Sequence, residues 1–304
     1  ARARSSGRSE PLSTGAEVPK KLTQISGIRN TTRRVGHRIT ARGRALPDFL
    51  VIGSQKAGTT SLGAYMTAHP DVFWPKRGEI HYFDWSYERS LSWYRAWFER
   101  RSVIEAHERE SGRPARVGEK TPDYFVIPDA PARVKAALPE VRLIVALRDP
   151  VARAYSQWGM NIRQGSETLP FADAIEAEED RLAQVDYSVR LRGSHYLKHG
   201  YVMRGRYADH LERWLAHFDR SQLFVYRSED LYAEPEVWLP RILDHIGIDP
   251  DASGGTTMPH RNAGDGSVDL DPALVDRLVG RFAESDARLH ETFGLSYYQD
   301  ATRG

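Results

Sequence analysis

The 304-residue chain is predicted to fold as an α/β protein, a P-loop-like doubly wound parallel sheet flanked by helices. Short, nearly unbroken apolar runs alternate with helical stretches, the pattern of parallel strands buried on both faces. The first run leads through a glycine-framed loop into a helix, the arrangement of an anion-binding strand–loop–helix unit. With 40% hydrophobic and 28% charged residues, the chain is ordinary globular material of ample length for one large core.

Residues 48–54, DFLVIGS, read as a buried strand ending in Gly-Ser. Residues 59–68 follow as a helix with Leu62, Tyr65 and Met66 on one face. A shorter strand, ARVGEKTP, is centred on Val117. Residues 141–150, VRLIVALRDP, form the next strand. Asp149 is then a helix cap and Pro150 the first residue of a helix running to about Gln164. Residues 205–218 carry Leu211, Trp214, Leu215 and Phe218 along one helical stripe. The strand expected over 222–231 precedes a helix over 235–247 that stops at glycine. Residues 251–270 are Gly-rich and polar, a loop of the kind that closes over ligands, and a last helix spans 271–294. No internal repeat is present. These elements make one domain over residues 46–304.

The net charge of +2 hides an uneven distribution. Residues 1–46 hold eleven Lys/Arg against two Glu, a net +9, and the remainder a net −7. With few large apolar residues, residues 1–45 read as a solvated, disordered basic arm, or as one that docks on an anionic partner or on the acidic body. The arm has no aromatic residue to stack on bases, so nucleic acid is not expected as a partner. No apolar run approaches the roughly 20 residues of a membrane span, and no leader-like apolar segment stands at the start. A cytoplasmic location is the expectation. The absence of cysteine excludes disulfides and thiolate chemistry and leaves the redox compartment open. Oligomeric state is not readable.

The chemistry starts at Gly53-Ser-Gln-Lys56-Ala-Gly58-Thr59-Thr60. A nucleoside-triphosphate loop places lysine directly after the second glycine; here Lys56 precedes that glycine by two positions. Backbone N–H groups and the helix N-terminus still favour an anion, although a plain glycine turn with a capping threonine is the simpler alternative. The 141–150 strand ends in Arg148, where a magnesium enzyme would want a carboxylate. Asp149 is explained as the helix cap, so an anion here is neutralised by protein cations. In RGEIHYFDW (77–85), Glu79 and His81 are two apart and face the same way in an extended segment. They are a candidate general-base pair, or a surface glutamate beside a satisfied histidine. Lys120, in GEKTPDYF, stands at a strand end where it brackets a leaving oxygen together with Lys56.

VIGSQKAGTTSL, EIHYFD, VGEKTPDYF and LRDPVARAYSQW, in this order, resemble carbohydrate sulfotransferases that use 3'-phosphoadenosine 5'-phosphosulfate, in particular the heparan sulfate N- and 3-O-sulfotransferase group. The resemblance covers residues 47–300. It implies that Lys56, Ala57, Gly58, Thr59 and Thr60 hold the 5'-phosphosulfate, and that Arg148 and Ser156 hold the 3'-phosphate. Arg261, with Gly264 beside it, closes over that end. Glu79 is then the base, Lys56 and Lys120 the groups on the transferring sulfuryl and its leaving oxygen, and His81 and Asp84 the acceptor side. No metal is implied. The heparan-type cysteine pair is absent, and Thr60 stands where the 3-O group often has arginine, which leaves the acceptor open between a small molecule and a glycan.

Trp74, Tyr82, Trp85, Trp93, Tyr94 and Trp97 are candidates to stack on sugar rings, or are ordinary packed helix residues. Two other readings predict different behaviour. An ATP- and magnesium-dependent phosphotransferase would ignore a 3'-phosphate, and a non-catalytic anion-binding module would not need Glu79.

Overall fold

The computed structural model describes residues 41–186, 191–253 and 270–298. Its centre is a five-stranded sheet in the order β2-β3-β1-β4-β5, with every described pairing parallel. The strands are β1 (Phe49–Gly53), β2 (Val72–Phe73), β3 (Arg116–Lys120), β4 (Arg142–Leu147) and β5 (Leu223–Arg227). The helices are α1 (Thr59–Ala68), α2 (Leu91–Arg95), α3 (Arg101–Ser111), α4 (Ala130–Ala137), α5 (Pro150–Arg163), α6 (Phe171–Glu176), α7 (Glu178–Ala183), α8 (His195–His199), α9 (Tyr207–Leu215), α10 (Ser228–Ala233), α11 (Pro235–Ile246) and α12 (Pro272–Phe293).

The unbroken apolar strands are explained by helices on both faces. Phe49 and Val51 of β1, with Ile144 and Ala146 of β4, pack against Leu62 and Met66 of α1 and Leu239 and Leu243 of α11. Leu50 and Ile52, with Leu143, Val145 and Leu147, face the other core with Tyr124, Tyr207 and Trp214. Period-2 alternation thus divides one apolar run between two cores.

Parallel pairing carries all strand C-termini to one edge. The chain leaves β1 toward β2 and β3, then returns on the other side of β1 as β4 and β5. The crevice at such a reversal is where open α/β sheets bind ligands. Lys120 and Arg148, at or just beyond the ends of β3 and β4, and the loop after β1 share this edge.

The expected caps are present: the Asp149 carboxylate accepts from Ala152 N at 2.7 Å, and α11 and α12 end at left-handed Gly247 and Gly294. Three differences have physical causes. The strand expected over 222–231 ends at Arg227, because the polar Ser228-Glu229-Asp230 run opens α10. Strand β2 is only two residues long and lacks the apolar run that would announce it. Residues 41–45, assigned from composition to the arm, include the buried Ala41, Arg44 and Ala45. Arg44 bridges to Arg100 and donates to the Phe98 carbonyl.

Gly118, in the middle of β3, has no room for a side chain. A Cβ there would lie 2.3 Å from Phe49 Cζ and 2.6 Å from Trp74 Cζ3, both rings of the sheet's own core. Gly118→Ala is expected to destabilise the domain by about 1–3 kcal/mol, read as a lowered urea midpoint with an unchanged m-value.

Candidate active site

The loop after β1 turns through two left-handed residues, Lys56 at φ 73° and Gly58 at φ 76°. Gly58 is the N-cap of α1 and offers the first amides of the helix no side-chain cap; the Ser61 and Leu62 amides bond back to the Gly58 carbonyl. At Gly58 the close approach is to Tyr232, whose hydroxyl lies 2.5 Å from where a Cβ would stand. Ala57 and Thr59 are buried, while Thr60 is exposed at the helix start. The Arg148 guanidinium donates to the Lys56 carbonyl at 3.4 Å, and Lys56 Nζ sits 4.0 Å from Met160 Sδ of α5. Burial, then Arg163, Arg148 and Arg153, hold the Lys56 ammonium below the usual lysine range. Neither Lys56 nor Arg148 makes an ion pair with a carboxylate among the described residues. A loop with surplus positive charge at a helix N-terminus that no side chain caps fits a polyanionic ligand. Ser156 is half-buried on α5, the helix that begins just beyond Arg148. Arg261 and Gly264, with the loop expected to close over the ligand, lie outside the described residues.

The second group is built by β3 and the turn after β2. Lys120 Nζ donates to Glu79 Oε1 at 2.7 Å, and Glu79 Oε2 is 3.3 Å from His81 Nε2. His81 Nδ1 is 2.8 Å from Asp84 Oδ2. The stem of Lys120 runs over α1, with its Cδ 3.4 Å from the position of a Gly63 Cβ, so the second group adjoins the first. The pairing of Glu79 and His81 was expected from an extended segment, and the cause is different. His81 is left-handed, at φ 57°, and the chain turns over residues 82–85, bringing Asp84 to the far side of the imidazole.

Asp84 is likewise relocated. Its side chain has no exposure, and its oxygens are engaged by His81 and by the Trp85 amide. A buried carboxylate of this kind acts through the imidazole and has no surface to offer an acceptor. Burial pushes the Asp84 carboxyl up against the pull of His81. Burial disfavours charge on His81 too, but hydrogen bonds to Asp84 and Glu79 raise it to about 9, so at neutral pH it is an imidazolium donating from both nitrogens. Burial would raise Glu79, yet His81 and Lys120 outweigh it and hold the carboxyl at about 2.

The aromatic candidates divide. Tyr82 and Tyr94 are buried and stacked on each other at 4.5 Å, so they are core. Trp74 packs on Phe49. Trp85 stacks on the His81 ring at 3.6 Å and 6°, and Arg192 lies over its indole. Arg77 and Arg89 cover Trp97 and Trp93. The short segment after β3 supplies a residue that the sequence did not announce. Asp123 stands beside His81 and Asp84 and pairs with Arg204 at 2.6 Å. Among the described residues His81, Asp84 and Asp123 bring three possible metal ligands within 4.8 Å of one another, but His81 and Asp84 are spent on each other and Asp123 on Arg204. Asp149 is also committed, to Ala152 N and to the Tyr298 hydroxyl. A groove of about 670 Å³ opens at the opposite edge of the sheet, lined by Asp48, Arg116 and Arg142, and none of the constellation reaches it.

Residues 46–258 match the family model described as a sulfotransferase domain. The chain is 31% identical over 242 residues to human heparan sulfate glucosamine 3-O-sulfotransferase 3B1, covering 80% of this chain and 54% of that protein. It is 30% identical over 213 residues to mouse bifunctional heparan sulfate N-deacetylase/N-sulfotransferase 4, covering 67% of this chain and 23% of that one. The chain thus spans about half the length of the first of these curated relatives, and less of the second. A crystal structure of a sulfotransferase from Alicyclobacillus acidocaldarius superposes with a TM-score of 0.65 at 25% identity, over 86% of this chain and all of that one. Mouse sulfotransferase SULT7A1, solved in complex with PAP, shares the fold at a TM-score of 0.51 and 15% identity, over 90% and 94% of the two chains.

The His81 shift has a stability consequence. Its folded-state value of about 9 lies above the unfolded value of 6.5, so its contribution is fully present below pH 6.5 and is lost as pH rises through 9. Denaturation at pH 6.5 and above pH 9 is expected to show wild-type stability falling with pH, and a smaller fall in His81→Asn.

Proposed function

The chain belongs to the sulfotransferase domain family, and we propose that it transfers a sulfuryl group from 3'-phosphoadenosine 5'-phosphosulfate to a hydroxyl of a carbohydrate or glycosylated acceptor. The observation that carries this reading is the contact of Lys120 with Glu79 beside a cationic β1–α1 loop that lacks a carboxylate partner among the described residues. Support for a sugar acceptor comes from the relatives, which are named for heparan sulfate.

The donor supplies an electrophilic sulfur and a phosphate leaving group. Lys56, Ala57, Gly58, Thr59 and Thr60 hold its 5' end, by backbone amides, hydroxyls and one ammonium. Arg148 and Ser156, with Arg261 from the loop outside the described residues, hold the 3'-phosphate, which suits a guanidinium fork. Protein cations take the part a divalent ion plays in phosphotransferases, so no metal is required.

Glu79 accepts the acceptor's proton. A carboxylate at about 2 is fully ionised at neutral pH but weakly basic, so proton removal comes late, after bond formation to sulfur has acidified the hydroxyl. Lys120 neutralises Glu79 in the free protein. Once the donor's charge is present, Lys120 turns toward it, and Glu79 regains basicity as that partner leaves. His81, already cationic, orients Glu79 from one nitrogen while Asp84 fixes the other. It does not compete for the proton.

Two measurements test the reading. Glu79→Gln is expected to lower turnover by about 100-fold or more while leaving stabilisation by adenosine 3',5'-bisphosphate intact, as read by transfer of radiolabelled sulfate and by thermal shift. Full activity would remove Glu79 from the base role. Arg148→Ala is expected to weaken binding of the bisphosphate by about 10–100-fold with little change for adenosine 5'-phosphate. Equal loss for both nucleotides in calorimetry would place Arg148 elsewhere. ATP with magnesium should stabilise neither wild type nor variant.

A further inference from the structure

Glu119 is a fully buried carboxylate that none of the roles above employs. It lies between Gly118 and Lys120 on β3 and points away from the catalytic crevice, into the core that contains Tyr94 and Tyr124. A lone carboxylate in such a place is costly, and three hydroxyls offset the cost. Thr121 Oγ1 donates to Glu119 Oε1 at 2.8 Å, Tyr124 donates to the same oxygen at 2.9 Å, and Tyr94 donates to Oε2. Burial pushes the carboxyl up to about 7 against the pull of these donors.

The far side of two of those hydroxyls is where the arrangement meets the site. The Tyr124 oxygen accepts from Tyr82 N at 2.8 Å, and the Thr121 oxygen accepts from His81 N at 3.5 Å. A hydroxyl that donates to a carboxylate must aim its lone pairs elsewhere. Here both sets of lone pairs face the amides of adjacent residues in the turn that contains left-handed His81. Left-handed backbone is unfavourable for a residue with a Cβ and persists only where surroundings over-determine it.

We propose that Glu119 is a positioning residue: by polarising the Thr121 and Tyr124 hydroxyls toward the His81 and Tyr82 amides, it locks the turn that aims the His81 imidazole at Glu79. The catalytic consequence rests on the reading of Glu79 as base, while the positioning itself does not. Glu119 touches neither acceptor nor donor, so its loss acts through geometry. A displacement of about 1 Å in a reacting constellation is enough to cost about 100-fold in rate.

The test compares Glu119→Gln, Glu119→Leu and Tyr124→Phe in the full chain. Glutamine keeps an acceptor oxygen toward Thr121 and Tyr124, whereas leucine and phenylalanine each break the chain of bonds. The His81 imidazole is followed by NMR titration, assigned by its loss in His81→Asn, alongside steady-state kinetics and thermal denaturation. In Glu119→Leu and Tyr124→Phe the His81 titration is expected to fall by about one unit or more. Turnover should fall about tenfold or more, with the donor KM within about twofold, and Glu119→Gln should resemble wild type in all three.

Folded variants with an unmoved His81 titration would overturn the proposal. So would a uniform loss of stability, donor affinity and turnover that glutamine fails to rescue. Tyr124→Phe carries the test if the leucine variant does not fold. A wild type that transfers no sulfuryl group, but whose His81 titration still moves in Tyr124→Phe, would uphold the positioning role and refute the sulfuryl-transfer reading.

Discussion

Lys56 and Arg148 are brought together at the C-terminal edge of a parallel sheet, the guanidinium bonded to the lysine's own carbonyl, with no carboxylate ion pair to either among the described residues. Like charges held together in a partly buried loop repel one another, and the lysine is lowered by its burial first and by the neighbouring Arg163, Arg148 and Arg153 second. The topology offers no local escape. Parallel strands place β1, β3 and β4 with their ends at one edge, and the dipole of α1 adds further positive potential there. An anion from outside would relieve the repulsion.

The acidic residues nearby are kept from supplying such relief. Glu79 is held by Lys120 and His81, Asp84 by His81 and the Trp85 amide, Asp123 by Arg204, and Asp149 by its own helix and by Tyr298. Each carboxylate has a structural assignment that leaves the β1–α1 loop cationic. The Lys120–Glu79 pair is the adjustable member, because the Glu79 side chain remains more than a third exposed and water can take the place of the ammonium beside it. A stronger anion can therefore claim Lys120 without a large penalty. The same argument makes the imidazolium a fixed element. His81 is enclosed between two carboxylates and stacked on Trp85, and has little freedom to do anything but donate.

Much of this was legible in the sequence where a local rule had a single outcome. The apolar run ending at Gly53, the Asp149-Pro150 start of α5 and the Gly294 stop of α12 are decided within a few residues, and the structure follows them closely. The same holds for Lys56, Lys120 and Arg148, which lie at or just beyond strand ends. Glu79 and His81 were paired correctly by a spacing argument, but the contact arises from a left-handed residue and a turn that spacing cannot reveal. Asp84 was expected on the acceptor side, and its burial behind His81 depends on the fold of the whole turn. Glu119 was illegible for a related reason. Next to a glycine and a lysine it looks like a solvent-facing strand position, and one of its three hydroxyl partners lies 25 residues away. The short helices α6 and α7, of six residues each, are too brief to stand alone and pack against α5 and α8, which no local pattern announces.

The central claim is that the uncompensated charge of the β1–α1 loop is the donor site, and that Lys120 is shared between donor and base. A crystal structure with adenosine 3',5'-bisphosphate tests it most directly. The account predicts the 5'-phosphate seated on the amides of residues 56–60, the 3'-phosphate against Arg148, and Lys120 Nζ moved off Glu79 toward the 5' end. A nucleotide bound at the opposite edge of the sheet, or at this loop with the Lys120–Glu79 contact unchanged and Arg148 facing solvent, would contradict it.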